Sequence, residues 1–225
     1  MTVVIGGTGI LGKTLKEIDS DLICLNSEYD IFQFDKLKNK LDSINPKLII
    51  NCAAIKSERV IENPVESINV NIIGSCNLSK YCIENLIRLV YISTDYVYSG
   101  LDGNYSEHDE ILPSNLYAWT KLGGESCVKL VPNHLIIRTS FGETKFPYDI
   151  AFDNLITSKD YVDIIAPMIL KASNSIFVGT MNIGTEPKSI YEYASKRNQV
   201  NKGSLISPKN YSLNTKEYEK LFETH

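Results

Sequence analysis

A tyrosine and a lysine four residues apart, Tyr117 and Lys121 in the segment YAWTK, have the types and spacing to do chemistry. Residues four apart lie on one face of a helix. A lysine ammonium beside a phenol favours the phenolate, so we expect Lys121 to lower the pKa of Tyr117. Tyr117 could then exchange a proton with a substrate hydroxyl or carbonyl. The pair gains its meaning from the residues around it, because the spacing alone is common.

Thr94 is the residue that gives the pair this context. It follows the apolar run 89–93, which is typical of a buried parallel strand. Open α/β sheets bind their ligands at the carboxyl ends of such strands. A hydroxyl at this edge could hold the substrate oxygen that Tyr117 protonates. We therefore predict that Thr94, Tyr117 and Lys121 are the catalytic residues.

The segment GGTGILG at 6–12 follows an apolar strand pattern and opens a helical one. It matches G-x-G-x-x-G, in which glycines permit a tight turn and a close approach to a pyrophosphate at the helix N-terminus. The small residues of NCAA at 51–54 end the third strand, where a cofactor would lie against the chain. This arrangement predicts a dinucleotide site.

The end of the second strand favours NADP(H) over NAD(H). Asn26 stands where an acid that binds the ribose would be expected, and Lys13 could approach a 2′-phosphate.

Asn71, in the predicted helix 64–84, leaves two interpretations open. It is either a polar residue that hydrogen-bonds backbone near the site or an ordinary amide on a helix surface.

Short apolar runs alternate with helical patterns along the first 140 residues. The predicted strands are 2–5, 22–25, 48–51, 89–93 and 135–138, and the predicted helices are 11–18, 34–41, 64–84 and 115–130. This alternation predicts an α/β fold, a Rossmann-like doubly wound parallel sheet. Further on we predict an irregular segment over 143–153, a helix over 161–172 that Pro167 breaks or kinks, a strand over 177–183 and a helix over 189–196. We assign 1–142 to an NAD(P)-binding domain and 143–225 to a small substrate lobe packed on it.

Composition excludes several classes of function. The chain has 225 residues, a net charge of −4 and 43% hydrophobic residues, which argues against a nucleic-acid surface. It contains no apolar run long enough to span a membrane, and it enters a strand at once, so we expect a cytoplasmic protein. The five cysteines are expected to be reduced thiols that pack as small hydrophobic side chains, and the three histidines show no metal-ligand spacing.

Seven segments in order resemble the extended short-chain dehydrogenase/reductases, and within them the dTDP-4-dehydrorhamnose reductase branch. The similarity runs from residue 2 to about 195 and rests on GGTGILG (6–12), DIFQFD (30–35), NCAA (51–54), NVNIIGSCNL (69–78), YISTDYVYSG (91–100), YAWTK (117–121) and LIIRTS (135–140). Members of that branch are usually longer after the last of these segments, so we expect a shortened substrate lobe.

The resemblance implies hydride transfer from a nicotinamide to C4 of a nucleotide-linked 4-keto-6-deoxy sugar, with Tyr117 as the proton donor. It assigns Asp95 and Tyr96, with Thr94, to the substrate pocket, and it implies a possible homodimer through the helices 64–84 and 115–130. The residues predicted to bind the cofactor are Gly6, Thr8, Gly9, Ile10, Leu11, Gly12, Asn26, Ser27, Asp30, Ile31, Cys52, Ala53, Ala54, Asn71, Ser93, Tyr117 and Lys121.

Two alternatives remain. A sugar-nucleotide epimerase could use the same residues, whereas a dehydratase is disfavoured because similar dehydratases carry Asp-Glu after the threonine and this chain has Asp95-Tyr96. The second alternative is a cofactor-binding regulatory subunit that does no chemistry, for which a shortened lobe would suffice.

Overall fold

The computed structural model describes residues 1–56 and 58–222. Its strands are, in chain order, β1 (Thr2–Ile5), β2 (Ile23–Leu25), β3 (Leu48–Asn51), β4 (Arg88–Ile92), β5 (His134–Thr139), β6 (Phe141–Gly142), β7 (Ile150–Phe152), β8 (Leu155–Thr157), β9 (Asp160–Tyr161), β10 (Gly179–Ile183), β11 (Lys188–Ser189), β12 (Asn201–Gly203) and β13 (Lys209–Tyr211). Its α-helices are α1 (Ile10–Ile18), α2 (Phe34–Ile44), α3 (Glu58–Glu62), α4 (Pro64–Ser67), α5 (Ser75–Glu84), α6 (Leu116–Val128), α7 (Val162–Ser173), α8 (Ile190–Ser195) and α9 (Lys216–Phe222).

Six parallel strands form the central sheet in the order β10-β5-β4-β3-β1-β2. Helices cover both faces of the sheet. Successive side chains of a strand point to opposite faces, so both sets of side chains are apolar. Val4 packs with Leu15 of α1 and Ile165 of α7 on one face. Val3 packs with Leu37 of α2 on the other face, in the cluster that also holds residues of α5 and α6. The predicted Rossmann-like class is confirmed.

The strand order places a ligand crevice beside β1. After β1 the chain passes through α1 to β2 on one side, and then through α2 to β3 on the other side of β1. The connection that leaves β1 thus runs to β2 on one side, while the connection that leaves its neighbour β3 runs to β4 on the other side. In open α/β sheets this reversal opens the crevice in which ligands bind.

The predicted helix over 64–84 is continuous but not uniform. Between α4 and α5 it contains a π-helical turn, Ile68–Gly74, a feature often found at functional sites. In α7 Pro167 lies inside a continuous element, so of the two predicted outcomes the break is wrong, whereas the kink stays a prediction. That helix buries Ile165, Ala166 and Ile169 against the sheet, and this packing offsets the hydrogen bond that proline cannot make.

The C-terminal segment contributes both to the central sheet and to a smaller layer. Strand β10 extends the sheet and α7 packs on one face of it, whereas the other short strands form three small sheets, with orders β11-β8-β13, β12-β7 and β6-β9. The segment over 143–153, expected to be irregular, contains β7. Dividing the chain after residue 142 stays a prediction.

Two of the five cysteines are joined, which corrects the prediction of reduced thiols for that pair. Cys76 on α5 and Cys127 on α6 form a disulfide with a Cα–Cα distance of 5.2 Å. They lie 51 residues apart in the chain, and only the packing of α5 on α6 makes them neighbours. Cys24, Cys52 and Cys82 are free. Across the described part of the chain, no helix has both the length and the apolar character to cross a membrane.

Candidate functional site

The turn between β1 and α1 depends on its glycines. Gly6 has a φ of +79°, and a Cβ atom there would lie 2.8 Å from the backbone nitrogen of Ala53. A Cβ atom on Gly12 would lie 2.7 Å from the carbonyl oxygen of Gly6, so α1 packs directly on the turn. No side chain of the described residues caps α1 at Gly9. Its first N–H groups are thus suited to an anionic ligand.

A cavity of about 550 Å³ opens next to this turn, at the carboxyl ends of β1, β2 and β3. It gathers most of the predicted cofactor residues from four separate segments of the chain. They are Gly6, Thr8, Gly9, Ile10, Leu11, Gly12, Asn26, Ser27, Asp30, Ile31, Cys52, Ala53 and Ala54.

The cavity fits a dinucleotide in its shape and its donors: a glycine cradle that any Cβ atom would fill, an uncapped helix start and small residues after β3. Sequence reasoning missed Lys56 and Arg59, two cations that also line it. Lys13 is not among the lining residues described. Asn26 lines the cavity, and its Oδ1 accepts a hydrogen bond from the N–H of Glu28 at 3.1 Å.

Four predicted cofactor residues, Asn71, Ser93, Tyr117 and Lys121, lie outside this lining. Asn71 is fully buried, so its interpretation as a helix-surface amide is wrong. Its Nδ2 donates to the carbonyl oxygen of Ile55 at 2.9 Å, and its Oδ1 accepts from the N–H of Ile55 at 2.8 Å. Because Ile55 lines the cavity, Asn71 holds one wall of it in place from behind.

Tyr117 and Lys121 lie on α6. Asn115 caps the N-terminus of this helix, because its side-chain oxygen accepts a hydrogen bond from the N–H of Ala118. Lys121 is buried, with its Nζ 4.0 Å from the centroid of the Tyr91 ring. Burial lowers the pKa of Lys121 to about 7, while Glu125 opposes that shift. Burial and, next, Asp95 raise the pKa of Tyr117 well above its usual value.

The expectation that Lys121 lowers the pKa of Tyr117 is therefore wrong. Helical spacing puts both groups on one face, but the loss of hydration on that face disfavours both charged forms. A tyrosine of raised pKa keeps its proton at neutral pH, and that is the form from which a proton can be donated.

The predicted substrate residues lie at the end of β4, where a 3-10 helix, Asp95–Val97, begins. Thr94 accepts a hydrogen bond from the N–H of Tyr96 at 3.3 Å and donates one to Asp95 Oδ1 at 3.2 Å. Burial raises the pKa of Asp95 to about 7, and Lys159 opposes that shift. Lys159 lies in the turn between β8 and β9, so it brings a charge from the C-terminal segment to this site. Sequence reasoning missed it.

Sequence reasoning also missed a buried polar network behind the predicted catalytic residues. Glu125, on α6, accepts a hydrogen bond from Ser93 at 2.5 Å and two from Arg138 at 3.1 and 2.8 Å. Arg138 also donates to the Tyr98 hydroxyl at 2.9 Å, which in turn bonds Asn182 on β10 at 3.2 Å. One signal was present in the sequence: Arg138 is a charge inside an otherwise apolar strand, and such a charge needs a buried partner.

A glycine turn on the first strand of a doubly wound sheet, with a threonine, a tyrosine and a lysine near the same edge, defines the short-chain dehydrogenase/reductase class. The chain belongs, within that class, to the RmlD substrate binding domain family, whose model matches residues 1–168. The family resemblance read from the seven segments is confirmed.

Two curated relatives carry different names. The chain is 33% identical over 178 residues to dTDP-4-dehydrorhamnose reductase of Aggregatibacter actinomycetemcomitans, a match that covers 74% of this chain and 60% of that protein. It is 31% identical over 159 residues to methionine adenosyltransferase 2 subunit beta of Danio rerio, covering 64% and 49%. The matched segment thus spans about half to three-fifths of these relatives.

A solved structure matches more of the chain. The dTDP-4-dehydrorhamnose reductase of Bacillus anthracis, in complex with NADP, superposes with a TM-score of 0.86 at 25% identity. The match covers 98% of this chain and 90% of that one. The C-terminal segment, which the sequence matches reach only in part, therefore has a structural counterpart.

Proposed function

We propose that the chain is an NAD(P)H-dependent reductase of a nucleotide-linked 4-keto-6-deoxy sugar. The observation that carries this proposal is the position of Thr94, Tyr117 and Lys121 at the edge of the sheet that also holds the dinucleotide cavity. The names of the Aggregatibacter and Bacillus relatives support the substrate class.

In this reaction a ketone becomes an alcohol, which requires a hydride at carbon and a proton at oxygen. A reduced nicotinamide, when bound, would supply the hydride. Tyr117 would donate its phenolic proton to the carbonyl oxygen, because its raised pKa keeps it protonated beforehand. Thr94 would orient that oxygen by a hydrogen bond, exchanging its present contact with Asp95 for the substrate. Lys121 would stabilise the phenolate left on Tyr117 and hold the nicotinamide ribose.

The cofactor residues keep the roles that the resemblance implies. Asp30 and Ile31 would flank the adenine, and Ala53 and Ala54 would line the ribose and nicotinamide side. We propose NADPH as the preferred donor, since no acid stands at Asn26 and the cavity presents Lys56 and Arg59. Comparison of the dissociation constants of NADPH and NADH tests this preference directly.

The function is tested by following the absorbance of reduced nicotinamide with a panel of nucleotide-linked 4-keto-6-deoxy sugars. We expect oxidation with one of them, and we expect Tyr117→Phe to abolish turnover while cofactor binding remains. Tyr191→Phe, a change on α8 away from the cavity, is the matched control and should stay active. Isomerisation of a sugar without net oxidation of the cofactor would instead identify an epimerase.

The second candidate is a cofactor-binding regulatory subunit, and the Danio rerio relative favours it because that protein is named as a subunit of another enzyme. Tight cofactor binding with no turnover of any sugar would support this function over the first. Under it, Tyr117→Phe should leave the effect on a partner enzyme unchanged.

We further propose that the chain forms a homodimer through α4, α5 and α6. Large apolar side chains are exposed on these helices, among them Val65 (69%), Leu116 (59%) and Trp119 (53%). Light scattering tests the proposal, and Trp119→Glu should shift the mass to that of a monomer.

A further inference from the structure

We infer that Thr120 is a positioning residue that couples the catalytic tyrosine to the wall of the cofactor cavity. This inference rests on the proposed function, since it concerns the same site. Thr120 stands inside the segment YAWTK, between the tyrosine and the lysine, and it contacts neither the cavity nor the end of β4 among the contacts described.

A continuous chain of hydrogen bonds runs through its hydroxyl. Thr120 Oγ1 donates to the carbonyl oxygen of Tyr117 at 2.8 Å and accepts from Asn71 Nδ2 at 2.8 Å. The same amide of Asn71 contacts both the N–H and the carbonyl of Ile55, at 2.8 and 2.9 Å. The backbone of the catalytic tyrosine is thus two side chains away from the cavity wall.

The direction of each bond is fixed by chemistry. The N–H of Ile55 requires an acceptor, so the amide oxygen of Asn71 must face it, and both N–H groups of that amide then need acceptors. One of them is directed to the carbonyl of Ile55, and the other to Thr120 Oγ1. The hydroxyl proton of Thr120 is left to donate to Tyr117. No other arrangement satisfies all four groups.

The surrounding backbone leaves little room for this chain to relax. A Cβ atom on Gly124 would lie 2.7 Å from the carbonyl oxygen of Asn71, and one on Gly123 would lie 3.0 Å from the side chain of Ile72. Helix α6 therefore packs closely on the π-helical turn that carries Asn71. That turn sets the angle at which Asn71 reaches Thr120.

Loss of the hydroxyl would act differently from loss of the amide. Without the hydroxyl, Asn71 still holds Ile55, so the cavity wall stays in place, while the first turn of α6 keeps its cap at Asn115 but loses its link to Asn71. A displacement of the catalytic group by about 1 Å can lower turnover about a hundredfold. We therefore expect an effect on kcat with little effect on cofactor affinity.

The test compares Thr120→Val, which keeps the shape, with Thr120→Ser, which keeps the hydroxyl. We expect Thr120→Val to lower kcat about ten- to a hundredfold with a cofactor Kd within about twofold, and Thr120→Ser to restore kcat to within about threefold. Ser126→Ala is the matched control, because Ser126 also bonds a carbonyl of α6 but is exposed. Thr120→Ala serves the same comparison if valine prevents folding. A kcat of Thr120→Val within twofold of the native value, or no recovery with serine, overturns the inference.

A second measurement separates this inference from the proposed function. Amide hydrogen exchange over residues 116–121, at the start of α6, is compared in the native protein, Thr120→Val and Thr120→Ser. If no sugar is turned over, the proposed function fails, yet faster exchange in Thr120→Val and native exchange in Thr120→Ser still support the positioning role. Identical exchange in all three proteins overturns it.

Discussion

Removing Arg138 should destabilise the protein far more than removing a charge on its surface. The guanidinium of Arg138 and the carboxylate of Glu125 are each 1% exposed, and two hydrogen bonds join them. In Arg138→Met the carboxylate would stay buried with only the Ser93 hydroxyl from its present partners. Breaking a buried ion pair from one side costs about 3–5 kcal/mol, because an uncompensated charge remains out of water.

The magnitude is measured by urea unfolding of the native protein, Arg138→Met, Glu125→Leu and the double variant. Each single variant should lose about 3–5 kcal/mol, and the double variant should lose clearly less than the sum, since an apolar pair leaves no charge behind. Asp163→Asn is the matched control. It breaks the bidentate pair with Arg197, whose side chains are 31% and 45% exposed, and it should cost about 1 kcal/mol or less.

Two results would refute this reasoning. If Arg138→Met costs no more than Asp163→Asn, burial does not determine the cost of breaking the pair. If the losses of Arg138→Met and Glu125→Leu simply add, the two side chains are not energetically coupled and the network is only a set of separate contacts.

Three further predictions concern single groups. Burial raises the pKa of Asp95 from an ordinary 3.8 to about 7, so the folded chain holds a proton there that the unfolded chain releases, and stability should fall as the pH rises from about 4 to 7. Thermal unfolding scans should show this fall in the native protein and not in Asp95→Asn. Cys76→Ser should lose up to about 4 kcal/mol by the loop-closure relation, and a reductant should then have no further effect, whereas it should destabilise the native protein. Gly12→Ala should weaken NADPH binding at least about tenfold, because its Cβ would lie 2.7 Å from the Gly7 Cα, and Gly9→Ala, with 3.3 Å of clearance, should weaken it less in calorimetry.

The cofactor side of the molecule could be predicted because its signals are local. Five strands of the sheet coincide with short, nearly continuous apolar runs, and β10 lies within the predicted strand 177–183, whose residues are more mixed. The glycines of 6–12 follow a motif whose backbone turn is the same wherever it joins a strand to a helix. The residues after β1, β2 and β3 must converge once the sheet is parallel, so their meeting in one cavity follows from topology.

The remaining features depend on contacts between distant segments. Lys159 lies in the turn between β8 and β9, more than 60 residues from Asp95, yet its charge acts on the pKa of that carboxyl group. Cys76 meets Cys127 only because α5 packs on α6. Strands β7 and β12 pair with each other although about 50 residues separate them in the chain. Each is only three residues long, which is too short for a hydrophobic pattern to identify the strand or its partner.

The Tyr117 and Lys121 pair shows how far spacing alone can be taken. Four residues on a helix fix a common face, but the charge states of the two groups depend on what packs against that face. Here it is the Tyr91 ring from β4 and the carboxylate of Asp95. Burial and Asp95 raise the pKa of Tyr117, opposite to the expectation drawn from the pair in isolation, and burial lowers the pKa of Lys121. Whether the chain reduces a sugar or only binds a dinucleotide also depends on groups that distant segments bring to the site. The cofactor cavity is complete within the first 141 residues, whereas the charge facing Asp95 comes from Lys159, so substitutions at Lys159 should change sugar turnover without changing dinucleotide affinity.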